Sequence, residues 1–137
     1  MGRAFEGLKG NELRHKTIGI VGLGAVGQRV AKRLQPFGVR VIANDPFLSP
    51  EKAVILDVEV VSLQQLLAES DFVTLHAAVT DESRALLGPA ELTKMKREAY
   101  LVNTARASLV DQTALISALS EGRVAGAAVD VLSLIHI

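Results

Sequence analysis

Three glycines near the start of the chain have a spacing that suits phosphate binding. The segment GIVGLGAVGQRVAKRL places Gly22, Gly24 and Gly27 in the pattern G-x-G-x-x-G. In such a turn the first glycine permits a tight bend, the second lets the main chain approach a pyrophosphate, and the third lets a helix pack closely on a strand. The N–H groups of Ala25 and Val26, at the positive end of the following helix, would face the phosphates. A glycine-rich bend that binds nothing is the alternative.

One acidic residue follows the glycines at the distance expected of a ribose ligand. Asp45 lies eighteen residues after Gly27, at the predicted end of the second strand. A carboxylate there accepts hydrogen bonds from the adenosine ribose hydroxyls and repels a 2′-phosphate, so the sequence predicts NAD rather than NADP. The alternative is that Asp45 only initiates the turn at Pro46.

The elements around the glycines are those that a nucleotide-binding turn requires. Thr17–Val21 is a short β-branched apolar run that leads directly into the first glycine, as expected of a strand buried on both faces. Val26, Val30 and Leu34 then recur at helical spacing. They predict the buried face of a helix that ends near Pro36.

Strands and helices alternate along the rest of the chain. We predict further strands at residues 39–43, 58–61, 72–75, 100–102 and 124–131, and helices that begin at Ser62, Gly88 and Asp111. This alternation with short connections is typical of an α/β fold with a doubly wound parallel sheet and right-handed crossovers. The 137 residues fit one such Rossmann domain.

The composition limits the partners of the chain. Fifteen Lys and Arg balance fifteen Asp and Glu, so no net charge would hold it on nucleic acid or an anionic membrane. Arg29, Lys32 and Arg33 fall on the polar side of the predicted helix, and we interpret them as a solvated face. No apolar run reaches the ~18 residues of a membrane span, and the absence of cysteine excludes thiolate metal sites and is compatible with a reducing cytosol. We predict a cytoplasmic protein with no metal centre and with neither nucleic acid nor membrane as partner.

Four blocks occur in an order that matches one enzyme family. They are ELRHKTIGIVGLGAVGQRVAKRLQPFGVRVIANDP, ESDFVTLHAAVTDESRALLG, MKREAYLVNTARASLVD and ALISALSEGRVAGAAVDV. Over residues 5–131 the chain resembles the NAD-binding domain of the D-isomer-specific 2-hydroxyacid dehydrogenases, the group that includes D-3-phosphoglycerate dehydrogenase. The resemblance implies that residues 1–131 form a Rossmann domain that binds NAD.

The resemblance also implies roles for individual residues. Arg106 matches the catalytic arginine that binds the substrate carboxylate and polarises the keto group. A guanidinium suits both tasks, since it holds a 2-oxo acid bidentately and stabilises the charge that develops on the carbonyl oxygen. Asp130 matches the residue that orients the nicotinamide carboxamide. The other matched positions are cofactor contacts on two loops: His76, Ala77, Ala78, Thr80, Thr104 and Ala105.

The loop at residues 76–80 contains a histidine and an alanine that bear on its role. The family's proton-transferring histidine lies much later in the chain, so we interpret His76 as a loop residue near the cofactor, with a purely structural imidazole as the alternative. Ala78 stands where the family often has proline. The loop is therefore expected to be less constrained than usual.

The resemblance stops abruptly after Val131. The family pattern continues Asp-Val-Phe-x-x-Glu-Pro, with a glutamate that supports the catalytic histidine, whereas Ile135 occupies the position of that acid. Isoleucine cannot hydrogen-bond an imidazole, and His136 lies too early to be the catalytic histidine. We therefore expect a fragment of a longer dehydrogenase that lacks the substrate domain, with residues 132–137 (LSLIHI) as a non-native or truncated tail.

Two classes of function remain at this point. The main interpretation is an oxidoreductase domain that moves a hydride between NAD(H) and a small D-2-hydroxy or 2-oxo acid, inactive alone and part of a homodimer in the full-length protein. The alternative is a non-catalytic regulatory module, similar to NAD-sensing corepressors. The presence of Arg106 favours the enzyme.

Overall fold

A parallel sheet organises the chain. The computed structural model describes residues 10–130, where the strands are β1 Thr17–Val21, β2 Arg40–Asn44, β3 Glu59–Val60, β4 Phe72–Leu75, β5 Tyr100–Asn103 and β6 Gly126–Val129. They pair in parallel in the order β3-β2-β1-β4-β5-β6. This is the strand order of the dinucleotide-binding Rossmann sheet. The predicted α/β doubly wound fold is confirmed.

The strand register brings the predicted site residues to one edge of the sheet. Val21 pairs with both Asn44 and Leu75, and Leu75 pairs with Asn103. The residues that follow these four strand ends therefore emerge together at the carboxyl edge. The strand order reverses between β1 and β4, and ligands of such sheets bind at this point.

The helices connect successive strands, and three of them begin at the predicted caps Ser62, Gly88 and Asp111. The helices are α1 Ala25–Leu34, α2 Pro50–Leu56, α3 Leu63–Glu69, α4 Pro89–Lys94 and α5 Gln112–Ser120, with 3₁₀ turns at Gln35–Phe37 and Ala107–Leu109. Ser62 Oγ accepts a hydrogen bond from the N–H of Gln65 at 3.1 Å, and Asp111 Oδ1 accepts one from Ala114 at 3.0 Å. Both bonds satisfy N–H groups that a helix start leaves open. Within residues 10–130, no helix has the length and apolar character to cross a bilayer.

Hydrophobic cores lie on both faces of the sheet. Ile20 packs with Leu23 and Ala31 on the face covered by α1 and α2. Its neighbour Val21 belongs to the larger core on the opposite face, with Leu66 and other residues of α3, α4 and α5. Adjacent strand residues point to opposite faces of a sheet. Strand β1 is therefore buried on both faces, as its apolar run predicted.

Several element boundaries differ from the prediction. β2 lies one residue later than predicted, β3 keeps two of four predicted residues and β6 keeps four of eight, residue 131 lying outside the described residues. β3 starts late because the N–H of Val58 bonds to the carbonyl of Ala53 at the end of α2. Helix α2 itself was not predicted, although Ser49 caps it and Pro50 occupies its first position. That pair is a helix-start signal visible in the sequence.

The buried face of α1 differs from the predicted one at Val26. Gly27 and Ala31 are its buried residues, whereas Val26 is 59% exposed. Val30 and Leu34 are partly buried against the core. The physical reason is the contact between Gly27 and the main chain of the preceding turn, which turns the small residues toward the sheet and Val26 away from it.

Candidate functional site

Two adjoining clefts open at the carboxyl edge of the sheet. One, of about 440 Å³, lies beside the end of β2 and is named here the Asp45 cleft. The other, of about 510 Å³, lies beside the end of β5 and is named the Arg106 cleft. Gly24 and residues 76–78 line both. A ligand with two halves joined by a narrow bridge would fill them together, and a dinucleotide has this shape.

Most of the predicted site residues line these clefts. In the Asp45 cleft they are Gly22, Gly24, Asp45, His76, Ala77, Ala78 and Thr80. In the Arg106 cleft they are Gly24, Ala25, Val26, His76, Ala77, Ala78, Thr104, Ala105 and Arg106. Gly27 and Asp130 are the predicted residues that line neither.

The three glycines of the turn are required for different reasons. Gly22 has a φ of +92°, and a Cβ there would lie 2.6 Å from the main-chain nitrogen of Ala77. A Cβ on Gly27 would overlap the carbonyl oxygen of Gly22. Gly24 has no such neighbour, because a Cβ built on it meets nothing within 4 Å. The chain itself explains the first and third glycines, and a group held against the turn from outside would explain Gly24.

The start of α1 presents main-chain donors that have no partner among residues 10–130. Gly24 is its N-cap and provides no side-chain bond, and the first turn contains no acidic residue. The first N–H groups of a helix have no partner within it, and with the helix dipole they attract anions. The N–H groups of Ala25 and Val26 lie in this turn, beside the clefts. Bare glycine, open donors and the absence of an acid fit the pyrophosphate of NAD.

Asp45 connects the end of β2 to the glycine turn. Its Oδ2 accepts a hydrogen bond from the N–H of Leu23 at 2.7 Å, and its Oδ1 accepts one from Phe47 at 2.9 Å. The second bond is the turn contact that the alternative interpretation required, so Asp45 does shape this turn. An ionised carboxylate offers about four acceptor positions. Both oxygens can therefore still accept the hydroxyls of a ribose.

His76 anchors the loop that separates the clefts. Its N–H bonds to the carbonyl of Val21 at 2.7 Å, and its Nε2 lies 2.9 Å from Oγ1 of the buried Thr74. Burial lowers the pKa of the His76 imidazole. A neutral ring next to Thr74 suits a structural or cofactor-shaping role and makes His76 a poor cation for phosphate.

The loop beyond His76 is tied by side chains. Ser83 Oγ donates to the carbonyl of Ala78 at 2.8 Å, and the N–H of Thr80 donates to Ser83 Oγ at 2.7 Å. Ser83 thus constrains the segment at the position where the family often has proline. This role of Ser83 could not be seen in the residue pattern alone.

Arg106 projects from a turn that a buried asparagine holds. Asn103, only 3% exposed at the end of β5, donates through Nδ2 to the carbonyl of Arg106 at 3.0 Å and accepts from the N–H of Ala105 at 3.1 Å. The guanidinium of Arg106 is exposed and bonds to the adjacent Ala105 carbonyl at 2.8 Å. Among residues 10–130 it forms no ion pair. Its charge is available to an anionic ligand in the Arg106 cleft.

Asp130 lies beside this turn but outside both clefts. Its N–H bonds to the carbonyl of Asn103 at 3.0 Å, and its side chain is exposed. The position is the carboxyl end of β6, next to β5. The register therefore brings Asp130 near the Arg106 turn without placing it among the lining residues.

Besides Ser83, Phe47 and Asn103 were also missed among the site residues predicted from the sequence. Phe47 lines the Asp45 cleft with its side chain 94% exposed. An aromatic residue so exposed presents a flat apolar surface that a purine ring could cover. Asn103 was part of a matched block but had no assigned role, although a polar residue at the end of a buried strand is a signal of such a task.

No cluster of His, Asp and Glu side chains suited to a metal ion occurs between residues 10 and 130. The chemistry of the clefts therefore depends on main-chain donors, the carboxylates of Asp45 and Glu82 and the guanidinium of Arg106 in the described part of the chain. These groups match the parts of a dinucleotide and an organic acid.

Known proteins show the same domain. The family described as D-isomer specific 2-hydroxyacid dehydrogenase, NAD binding domain, matches residues 3–134. The chain is 43% identical over 124 residues to a D-3-phosphoglycerate dehydrogenase of Methanocaldococcus jannaschii, which covers 90% of this chain and 24% of the relative. It is 48% identical over 122 residues to a glyoxylate reductase of Aeropyrum pernix, covering 89% of this chain and 36% of the relative.

A solved structure supports the cofactor. The NAD-complexed form of a D-isomer specific 2-hydroxyacid dehydrogenase from Lactobacillus delbrueckii ssp. bulgaricus superposes with a TM-score of 0.86 and 37% identity, over 93% of this chain and 38% of that one. The chain thus spans about a quarter to two fifths of the length of these proteins. They are named as dehydrogenases and reductases, which supports the enzyme interpretation over the regulatory module. The chain belongs to the D-isomer-specific 2-hydroxyacid dehydrogenases, as their NAD-binding domain.

Proposed function

We propose that this domain holds NAD(H) for hydride exchange with a small D-2-hydroxy or 2-oxo acid. The observation that carries the proposal is the pair of adjoining clefts, with Asp45 in one, Arg106 in the other and Gly24 between them. Bound NAD(H) supplies or accepts the hydride. The residues of the chain bind and orient both ligands.

Asp45 is the proposed ribose ligand and the source of preference for NAD. Its two carboxylate oxygens keep acceptor positions beyond their bonds to Leu23 and Phe47. They would accept the 2′ and 3′ hydroxyls of the adenosine ribose, while a 2′-phosphate would bring negative charge against them. Phe47 would cover the adenine ring from the same cleft.

Arg106 is the proposed catalytic residue. Its guanidinium, free of ion pairs within the described residues, would hold the substrate carboxylate through two parallel hydrogen bonds. It would also stabilise negative charge on the C2 oxygen as hydride arrives, because the charge grows in the transition state. Asn103 would fix the main chain from which Arg106 extends.

The nicotinamide half is assigned to the Arg106 cleft. Thr104, Ala105, Ala25 and Val26 line it, and Asp130 would reach the carboxamide from the end of β6. His76 would shape the wall common to both clefts without transferring the proton.

The substrate, assembly and location remain proposals of the same kind. The relatives are named for phosphoglycerate, glyoxylate and lactate, which share a 2-hydroxy or 2-oxo acid group, and this class is proposed for the protein. A homodimer in the cytoplasm is the proposed setting.

Titration of the chain with NADH and NADPH, followed by cofactor fluorescence, tests the proposal. We expect NADH to bind at least about tenfold more tightly, since one like charge beside a carboxylate costs on the order of 1.4 kcal/mol or more. Asp45→Asn removes the charge at nearly constant shape and should reduce the preference. Glu98→Gln, which removes an exposed charge at the opposite edge of the sheet, is the matched control and should not. Equal affinities, or tighter binding of NADPH by the unmodified chain, would contradict the role of Asp45.

A further inference from the structure

The middle residue of the glycine turn is held on all sides by the protein. The side chain of Leu23 is 2% exposed in the core beneath α1. Its N–H donates to Asp45 Oδ2 at 2.7 Å, and its carbonyl accepts from Nε2 of Gln28 at 2.8 Å. Both peptide groups that flank Leu23 are therefore held in one orientation by hydrogen bonds.

These two bonds fix the direction of neighbouring main-chain groups. In a planar trans peptide the carbonyl and the N–H point in opposite directions. The N–H of Leu23 points to Asp45, to which it donates. The carbonyl of Gly22, in the same peptide group, therefore points away from Asp45 and toward Gly27. The bond from Gln28 to the carbonyl of Leu23 likewise directs the N–H of Gly24 away from Gln28.

The N–H of Gly24 is left without a partner in the described part of the chain. Gly24 lines both clefts, at the point where the bridge between the two halves of a dinucleotide must lie. Gln28 itself lines neither cleft. It acts on the turn twice, since its main-chain N–H also donates to the carbonyl of Gly24 at 3.0 Å.

We propose that Gln28 is a positioning residue for the pyrophosphate, which it serves by holding the Leu23–Gly24 peptide in the orientation that presents the Gly24 N–H to the ligand. The proposal rests on the proposed function, since it concerns the same cofactor. Preorganised donors bind more tightly because the ligand does not have to order them.

The test is Gln28→Met, which keeps the length and helix preference of the side chain but removes its donor. The helix offers a matched control, since Gln35, just beyond its other end, makes the same kind of bond, from Nε2 to the carbonyl of Leu56 at 2.8 Å. Both variants and the unmodified chain are titrated with NADH, ADP-ribose and adenosine, and thermal unfolding is followed for each. Adenosine carries the base and ribose but no phosphate.

We expect Gln28→Met to bind NADH and ADP-ribose about three to tenfold more weakly, the range that one preorganising hydrogen bond supports. Its affinity for adenosine and the affinities of Gln35→Met for all three ligands should equal those of the unmodified chain. In amide hydrogen exchange without ligand, the N–H of Leu23 should exchange faster in Gln28→Met than in the unmodified chain. In Gln35→Met it should exchange at the same rate as in the unmodified chain.

Two results would overturn the proposal. Gln28→Met could bind NADH as the unmodified chain does, or it could lose adenosine affinity in the same proportion as NADH affinity, which would indicate general loosening. In both cases NADH still binds the unmodified chain, and the proposed function stands. If the unmodified chain bound neither NADH nor ADP-ribose, the proposed function and this inference would fail together.

Discussion

The two edges of the sheet use charged residues in opposite ways. At the amino edge Arg40 forms ion pairs with Glu59 at 2.8 Å and with Glu69 at 2.7 Å. Asp71 accepts the N–H of Thr17 at 2.8 Å and pairs with a lysine. At the carboxyl edge, charges bond to main chain and keep capacity for a ligand.

The charged groups of the amino edge stabilise one another. The hydrogen bond from Arg40 lowers the pKa of Glu69, while Glu59 first and Glu69 second raise the pKa of Arg40. Burial alone would raise the pKa of Asp71, but the N–H of Thr17 and nearby lysines outweigh it and hold that pKa below its usual value. Protein groups thus stabilise the charges of the amino edge. Arg106, in contrast, has a carbonyl of its own turn as its partner.

This difference indicates that charges at the amino edge contribute to stability, whereas charges at the carboxyl edge serve ligand binding. A charge paired within the fold fixes strand ends, whereas the guanidinium of Arg106, which has no ion-pair partner among residues 10–130, is available for an anion. Substitutions made at one edge at a time should therefore separate loss of stability from loss of function.

The largest effect is expected for Arg106→Ala. In a full-length dehydrogenase that contains this domain, kcat for reduction of a 2-oxo acid should fall by about 100-fold or more, the range for loss of one group that stabilises developing charge. The melting temperature should stay near that of the unmodified protein, because the guanidinium bonds to its own turn. Steady-state kinetics with NADH held at saturation measures this effect. Activity that is unaffected would remove Arg106 from catalysis and with it the main evidence for chemistry in this cleft.

A second contrast lies within the glycine turn. Gly27→Ala would place a Cβ against the carbonyl of Gly22, and we expect a loss of about 1–3 kcal/mol in the free energy of unfolding, as for other overpacked sites. Gly24→Ala has open space around its Cβ and should lose little stability but most of its NADH affinity, because that space is assigned to the pyrophosphate. Urea unfolding and NADH titration of both variants measure the two effects. Loss of stability without loss of binding in Gly24→Ala would show that this glycine serves the fold.

Local signals in the sequence predicted the framework well. Thr17–Val21 and Phe72–Leu75 are strands as predicted, and Ser62 and Asp111 are N-caps. In each case the residues that determine the structure are neighbours in sequence. Gly27 belongs to the same class, since a Cβ on it would meet the carbonyl of Gly22, five residues earlier, whereas Gly22 is required by the main chain of the distant loop at Ala77.

Features that depend on the direction in which a main-chain group points could not be predicted in this way. Val26 was assigned to the buried face of α1, yet the contact between Gly27 and the turn decides how the helix is rotated. The tasks of Asn103 and Gln28 depend on which carbonyls fold back toward them. A pattern of residue types contains no information about such directions.

His76 gives a smaller, pH-dependent effect. Burial lowers the pKa of its imidazole below the ordinary 6.5. Near pH 6.5 the unfolded chain therefore binds a proton at His76, whereas the folded chain binds it only at lower pH. Stability should therefore fall as pH decreases from about 6.5 to the lower pKa of the folded state. Urea unfolding between pH 7.5 and about pH 5 should show a flatter dependence for His76→Gln. His15→Gln, at an exposed histidine, is the control and should keep the original slope. An unchanged slope in His76→Gln would show that other groups cause the acid sensitivity.

The smallest effect is expected at the amino edge, from Arg40→Met. The ion pairs that it removes are about half exposed, and exposed pairs contribute little because water and salt screen them. The melting temperature should fall by less than about 3 °C at low ionic strength, and by less in 1 M salt, while NADH affinity stays constant. Thermal unfolding at two salt concentrations, with an NADH titration on the same samples, measures both. A change in NADH affinity would show that the two edges are coupled through β1 and β2, and the separation of stability from function across the sheet would then be wrong.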